Sequence, residues 1–81
     1  MVEIVESILK ELVKHPDTVE VKYLDRGKNG IFLVKVDDSD VGRVIGKEGK
    51  IIKSIDKIVT CIDKNKKQNY VLKINEGERN E

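Results

Sequence analysis

The sequence contains few of the residue types that build disulfides, metal centres or aromatic binding surfaces. Its 81 residues include one cysteine, one histidine, one proline and no tryptophan, and the aromatic residues are two tyrosines and one phenylalanine. A single cysteine excludes an internal disulfide and suits a reducing compartment. Without a second histidine or cysteine, and without an acid–base or nucleophile pair, the sequence indicates neither a metal centre nor an enzyme.

Long apolar runs are also absent. No run approaches the ~20 residues that a membrane-spanning helix requires, so we expect no membrane insertion. Residues 1–6 carry acids where a secretory signal carries basic residues, and we therefore expect a cytoplasmic protein. The length provides one small domain. We place it at residues 1–75, followed by a charged C-terminal tail at 76–81, and we expect no cofactor.

Positive charge is concentrated in one part of the chain, although the net charge is only +1. Between Gly42 and Lys67, eight basic residues accompany three acidic ones. This is a modest electrostatic footprint for binding a polyanion. A lysine-rich helix face that is simply solvated has the same composition, so charge alone leaves both interpretations open.

The hydrophobic pattern predicts six elements in the order α-β-β-α-α-β. Pro16 ends the first helix, and the Asp37-Asp38-Ser39-Asp40 segment provides a turn and an N-cap for the second. The last two helices can form a right-handed crossover between parallel strands. We therefore expect an α+β fold with a three-stranded mixed sheet and three helices on one face. The predicted bounds are helices at about 2–14, 41–45 and 50–63 and strands at about 19–23, 31–36 and 70–74.

The segment Gly46-Lys47-Glu48-Gly49 lies between two apolar helix patterns. Glycine permits positive φ at a reversal and allows another part of the chain to approach closely. The first N–H groups of the following helix are expected to have no intrahelical partners. Together with the neighbouring lysines, such free N–H groups form a binding site for phosphate. A plain helix–turn–helix connection would use the same glycines. A P-loop is excluded by spacing, because Glu48 stands where the Mg²⁺-binding hydroxyl belongs.

The spacing Ile45-Gly46-x-x-Gly49-x-x-Ile52-x-x-Ile55 resembles the signature of KH domains, and the element order matches the type II KH fold. Residues 39–46 and the small size are similar to the KhpA family of bacterial KH proteins. This resemblance implies a single-stranded RNA-binding module with an RNA chaperone-like role. In such a module the glycine turn lies along the sugar-phosphate backbone of about four nucleotides.

The residues that this resemblance assigns to RNA binding surround the glycine turn. Apolar side chains before and after the turn would form the floor of a groove, and Arg43 would reach a phosphate or a base edge. Three lysines after the long helix would close the far side, although a solvated loop is an equally good interpretation of them. The full set is Gly42, Arg43, Val44, Ile45, Gly46, Lys47, Glu48, Gly49, Lys50, Ile52, Lys53, Lys64, Lys66 and Lys67.

The three aromatic residues, Tyr23, Phe32 and Tyr70, are assigned to the core by their strand positions. Bases would then rest on aliphatic side chains, which implies weak binding of low specificity. The aspartates at 37, 38 and 40 lack the glycine and distal glutamate of a calcium loop, and we assign them to a turn and a cap.

An alternative function is a protein–protein adaptor that acts through a dimer interface. Ile58 lies at the edge of the apolar stripe of the long helix, between the small residues Ser54 and Cys61. This edge would let another helix approach closely, in a homodimer or with a Jag-type KH partner. The outer face of the sheet, with Ile31, Leu33 and Val71, is a rival surface.

Overall fold

The computed structural model describes residues 2–63 and 69–75 and has the predicted order of elements. Single 3₁₀ turns at Pro16–Thr18, Asp38–Asp40 and Lys47–Gly49 join helices and strands. Among the described residues, no helix has both the length and the apolar character of a membrane span. The main elements are α1 (Val2–Leu12), β1 (Glu20–Arg26), β2 (Asn29–Lys35), α2 (Val41–Ile45), α3 (Lys50–Ile62) and β3 (Asn69–Ile74).

The three strands form one mixed sheet in the order β1-β2-β3. β1 and β2 are antiparallel and joined by a two-residue hairpin turn, whereas β2 and β3 are parallel. A parallel pair requires a crossover connection, and α2 and α3 provide it. The structure thus confirms the expected α+β fold with three helices and a three-stranded mixed sheet, the arrangement of a type II KH domain.

The hydrophobic core lies between one face of the sheet and the three helices. Paired residues on neighbouring strands point to the same face, so the register Tyr23↔Phe32↔Leu72 defines the inner face. Each helix buries apolar side chains against it. The buried core residues are Val5, Leu9, Val19, Phe32, Val34, Val36, Val44, Ile55, Val59, Tyr70 and Leu72.

The aromatic residues pack together, with Phe32 and Tyr70 in the core and Tyr23 partly buried against it, as their strand positions predict. The ring centroids of Tyr23 and Phe32 are 5.1 Å apart, and those of Phe32 and Tyr70 are 5.9 Å apart. The Tyr70 hydroxyl donates a hydrogen bond to Asp63 Oδ2 at 2.9 Å. Burial and this hydrogen bond raise the pKa of Tyr70 to about 12. The bond joins the residue that follows α3 to the second residue of β3.

Gly30 leaves the space into which two of these rings pack. A Cβ at this position would lie 2.7 Å from the Tyr70 ring and 2.8 Å from the Tyr23 hydroxyl oxygen. Both distances are shorter than van der Waals contact, so a side chain here would displace the rings. Any residue larger than glycine at position 30 is therefore expected to disturb the core.

We predict that Gly30→Ala lowers the free energy of unfolding by about 1–3 kcal/mol, the usual range for overpacking a core. Gly42→Ala is the matched control, because Gly42 is helical and a Cβ there meets no atom within 4 Å. Its stability should equal that of the parent or exceed it by up to about 1 kcal/mol, since alanine favours helix. Urea denaturation of the three proteins measures both changes, and equal destabilisation by the two substitutions would contradict the steric explanation.

Candidate nucleic-acid interface

Gly46 ends α2 and brings the chain into close contact with the start of α3. Its φ of 77° and ψ of 173° are strained for residues with a Cβ. Its N–H donates to the Gly42 carbonyl oxygen at 2.9 Å, which completes the last turn of α2. A Cβ at Gly46 would lie 2.6 Å from Ile51 Cγ1. Glycine is therefore required at this position for both its conformation and its small size.

The second glycine of the turn has a different role. Gly49 has a φ of 74° and immediately precedes α3, but a Cβ there would make only ordinary contacts, the closest at 3.8 Å from Lys53. Glycine is therefore favoured at position 49 only because of the backbone conformation. Glu48 also has a positive φ, 58°, a conformation that is unfavourable for a residue with a long side chain. The turn thus contains two left-handed residues in succession.

The backbone amides at the start of α3 are bonded within the turn, which differs from the sequence expectation. Gly49 N–H donates to the Gly46 carbonyl oxygen at 3.1 Å, and Lys50 N–H donates to the Lys47 carbonyl oxygen. These two amides are not vacant donors for a phosphate. The side chains at this turn that can attract an anion are those of the exposed Lys47, Lys50 and Lys53.

The apolar floor predicted for the groove is smaller in the structure than in the sequence analysis. Val44 is fully buried in the core, so its side chain offers no surface to a ligand. Ile45 and Ile52 are partly exposed beside the glycine turn. The expected floor is therefore reduced to these two isoleucines.

The polar residues of the predicted set lie on the surface around the turn. Gly42, Arg43 and Glu48 are exposed, as are the three lysines named above. The structure brings these residues together with Gly46 and Gly49 over α2, the turn and the first part of α3. The lysines predicted at the far side, Lys64, Lys66 and Lys67, lie outside the described residues.

Asp40 is a residue of this region whose role the sequence did not predict. It immediately precedes α2, but its side chain makes no capping bond to that helix. Instead, Oδ1 accepts the N–H of Lys14 and Oδ2 accepts the N–H of His15, both at 3.0 Å. Oδ1 also lies 3.5 Å from Arg43 Nε. The contact between Asp40 and Arg43 was predictable from their spacing of three residues, because side chains three apart on a helix are neighbours.

A cluster of possible metal ligands surrounds the same carboxylate. Ligand atoms of His15, Asp37 and Asp40 lie within 4.8 Å of one another. Asp37 Oδ2 accepts the backbone N–H of Ser39 at 3.0 Å and also its hydroxyl, and these bonds lower the pKa of Asp37. Both oxygens of Asp40 are engaged as described above. The carboxylates therefore act as hydrogen-bond acceptors for the turn and for the end of α1.

The predicted dimer residues form an exposed strip on α3. Ile58 and Ile62, one helical turn apart, are 43% and 38% exposed, and Ser54 and Cys61 are exposed beside them. Ile55 and Val59 at the centre of the stripe are buried. The prediction that Ile58 lies at the edge of the apolar stripe is confirmed.

Asp56 faces the opposite side of α3, towards the β3 edge of the sheet. Its carboxylate is close to the backbone of Leu72, and burial raises the pKa of the Asp56 carboxyl group while this hydrogen bond opposes the rise. Its Oδ1 atom is a buried acceptor with no hydrogen-bond partner among the described residues. Nothing in the sequence pattern distinguished this aspartate from a solvated one.

The chain matches known proteins over nearly its whole length. A family model described as "KhpA/KhpB, KH domain" matches residues 2–74. The RNA-binding protein KhpA of Caldanaerobacter subterraneus subsp. tengcongensis is 36% identical over 74 residues, which cover 91% of this chain and 99% of that protein. Its counterpart of the same name in Clostridium perfringens is 42% identical over 69 residues, covering 83% and 92%.

A third relative, the RNA-binding protein KhpA of Thermotoga maritima, is 39% identical over 62 residues, covering 76% of this chain and 83% of that protein. No solved structure gives a significant match. These relatives carry the name of a binding protein and not of an enzyme, in agreement with the sequence prediction. The fold, the glycine turn and these matches show that the chain belongs to the KhpA/KhpB family of KH domains.

Proposed function

We propose that this chain binds single-stranded RNA by laying the Gly46–Gly49 turn along the sugar-phosphate backbone. The observation that carries the proposal is the exposed turn itself, held between α2 and α3 and flanked by Lys47, Lys50 and Lys53. The relatives named RNA-binding protein KhpA support the same function. KH domains use this turn to clamp about four nucleotides.

The lysine side chains supply the attraction for phosphates in this proposal. The Gly49 and Lys50 amides are bonded within the turn, and the glycines at its two ends leave a narrow ridge without side chains at those positions. Bases would rest on Ile45 and Ile52. The helix α3, with 13 residues, leads away from the turn over about 20 Å. The lysines at 64, 66 and 67, which come after α3 in the sequence, are also part of the proposed site.

We further propose that binding is weak and tolerant of sequence, as an RNA chaperone-like role requires. Single-strand binders commonly stack bases on exposed aromatic rings. Among the described residues, Phe32 and Tyr70 are buried and the half-buried Tyr23 packs against Phe32, so none of the three phenyl rings is fully exposed for stacking. The exposed thiol of Cys61 fits the reducing cytoplasm in which we place the protein.

A second proposed function is that of an adaptor that pairs with a KH partner through α3. The observation that favours it is the pair of exposed isoleucines, Ile58 and Ile62, one turn apart on the surface of α3. The occupant would be a second copy of this chain or a Jag-type KH protein. The glycine turn lies at the start of α3 and this strip lies in its second half, so RNA binding and pairing are compatible.

The double substitution Lys47→Asp and Glu48→Asp should abolish RNA binding while the protein stays folded. The change places negative charge against phosphate, and aspartate tolerates the left-handed conformation of position 48. Gel-shift titration with a single-stranded RNA measures affinity, and circular dichroism measures helix content. Lys22→Asp is the matched control, because it makes the same change in net charge at an exposed β1 position on the outer sheet face.

The control should retain most of the parent's affinity. If the double variant keeps its helix content and binds as tightly as the parent, the glycine turn is not the site. Equal losses in the double variant and in Lys22→Asp would indicate attraction to the overall charge of the protein and not to this turn.

RNA affinity should fall with salt in proportion to the phosphate contacts. With Arg43, Lys47 and two further lysines as contacts, three to four phosphates are neutralised, and the log–log slope for a single strand is roughly −2 to −3. Fluorescence anisotropy with a labelled oligouridylate over a series of potassium chloride concentrations measures the slope. A slope near zero would show that the basic residues around the turn are merely solvated.

Ile58→Lys should convert a dimer of this chain into a folded monomer. Burying one such side chain is worth roughly 1.5–3 kcal/mol, and a twofold interface uses it twice. Thr60→Lys is the matched control, since Thr60 is also exposed on α3 but lies about 200° around the helix from Ile58. Sedimentation velocity at micromolar concentration should show the parent and the control as dimers. A monomeric parent, or an unfolded Ile58→Lys variant, contradicts the proposed interface.

A further inference from the structure

Asp40 is the charged side chain that the structure buries completely among residues 2–63 and 69–75. A buried carboxylate is unfavourable unless its charge is compensated by hydrogen bonds or an opposite charge. Its two oxygens accept the N–H groups of Lys14 and His15 at 3.0 Å. The third partner is Arg43, which is therefore part of the structure that keeps this charge in the interior.

The contact with Arg43 uses one part of the guanidinium group. Arg43 Nε lies 3.5 Å from Asp40 Oδ1, and the Arg43 side chain is 47% exposed. A guanidinium group carries five N–H donors in a rigid plane. Nε is the nitrogen that forms this ion pair with Asp40, so the four N–H groups on the two Nη atoms can serve another acceptor. Because the group is planar, an ion pair at Nε favours some orientations of the whole fork over others.

We propose that Asp40 is a positioning residue for RNA binding, which holds Arg43 so that its Nη groups meet a phosphate beside the glycine turn. The inference rests on the proposed function and names a residue that acts through another. Arg43 lies three residues before Gly46, in the last turn of α2. A free arginine loses side-chain freedom when it binds a phosphate, whereas Arg43 has already lost part of that freedom on folding.

Asp40 also has an effect that opposes this orientation of Arg43: its negative charge weakens the attraction of Arg43 for phosphate. The two backbone N–H groups on the carboxylate take up part of that charge, and for this reason we infer that orientation outweighs neutralisation. The two effects predict opposite signs. When Asp40 is replaced by asparagine, loss of orientation lowers RNA affinity, whereas relief of neutralisation raises it.

A double-mutant cycle on RNA affinity separates positioning from a structural role. The parent, Asp40→Asn, Arg43→Gln and the double variant are titrated with a labelled oligouridylate at one salt concentration. Asp40→Asn should lower affinity about five- to tenfold when Arg43 is present, the effect of one charge-assisted contact. The same substitution should change affinity by less than about twofold in the Arg43→Gln background. Lys22→Gln is the surface control.

Equal losses in the two backgrounds would overturn the inference, because Asp40 would then act only through the fold. A gain in affinity for Asp40→Asn would overturn it as well, since neutralisation would dominate. If Asp40→Asn does not fold, the Arg43 Nε–H resonance of the free ¹⁵N-labelled parent decides the question. Positioning predicts a heteronuclear nuclear Overhauser effect close to that of the rigid backbone, because the side chain is already ordered before RNA binds. A value typical of a mobile side chain contradicts positioning.

The outcome is separate from that of the proposed function. If the Lys47→Asp, Glu48→Asp protein loses RNA binding and the Asp40–Arg43 cycle shows no coupling, only the positioning role is wrong. If the substitutions at 47 and 48 leave RNA affinity unchanged, the turn is not the site, whatever the cycle shows.

Discussion

The contact between Gly46 and Ile51 is the constraint on which the functional part of the molecule depends. Any side chain at position 46 would collide with Ile51, which lies 2.6 Å from the position of a Cβ. The end of α2 therefore lies directly on the first turn of α3, and residues 47–49 project between the two helices. The parallel pairing of β2 and β3 depends on the same crossover. The surface proposed for RNA and the topology of the sheet thus have a common origin.

Asp40 extends this constraint to the N-terminal helix. Its carboxylate accepts two backbone N–H groups from the chain that follows α1 and lies beside Arg43 on α2. Removing any partner of this buried carboxylate lowers the stability of the fold, because part of the negative charge is then left uncompensated. The end of α1, the start of α2 and the orientation of Arg43 are therefore linked through one side chain.

The order of the elements and the position of the turn were predictable because each has a local cause. Apolar residues three and four apart define α1 and α3. The glycines at 46 and 49 lie where one apolar helix pattern ends and the next begins, which marks the turn between the two helices. The aromatic residues fell on the inner face because strand alternation is a short-range pattern. The match to the KhpA/KhpB family model over residues 2–74 agrees with the resemblance that these local patterns support.

The details that the sequence did not predict depend on contacts between distant segments. Asp40 was expected to cap α2, but its backbone is already helical, with φ −98° and ψ −5°, and its side chain instead reaches residues 25 and 26 positions earlier in the chain. The same two hydrogen bonds end α1 at Leu12, two residues before the expected end. Val44 and Ile45 are equally apolar, and only the rotation of a five-residue helix against the sheet decides which of them is buried.

Nuclear magnetic resonance of the ¹⁵N-labelled chain, titrated with a short single-stranded RNA, tests the central claim most directly. If the glycine turn is the RNA-binding site, the largest changes in amide chemical shift lie between Gly42 and Lys53, and those of the outer sheet positions Lys22 and Leu33 stay small. Changes centred on the outer sheet face or on the Ile58–Ile62 strip of α3, with the turn unaffected, would contradict the account.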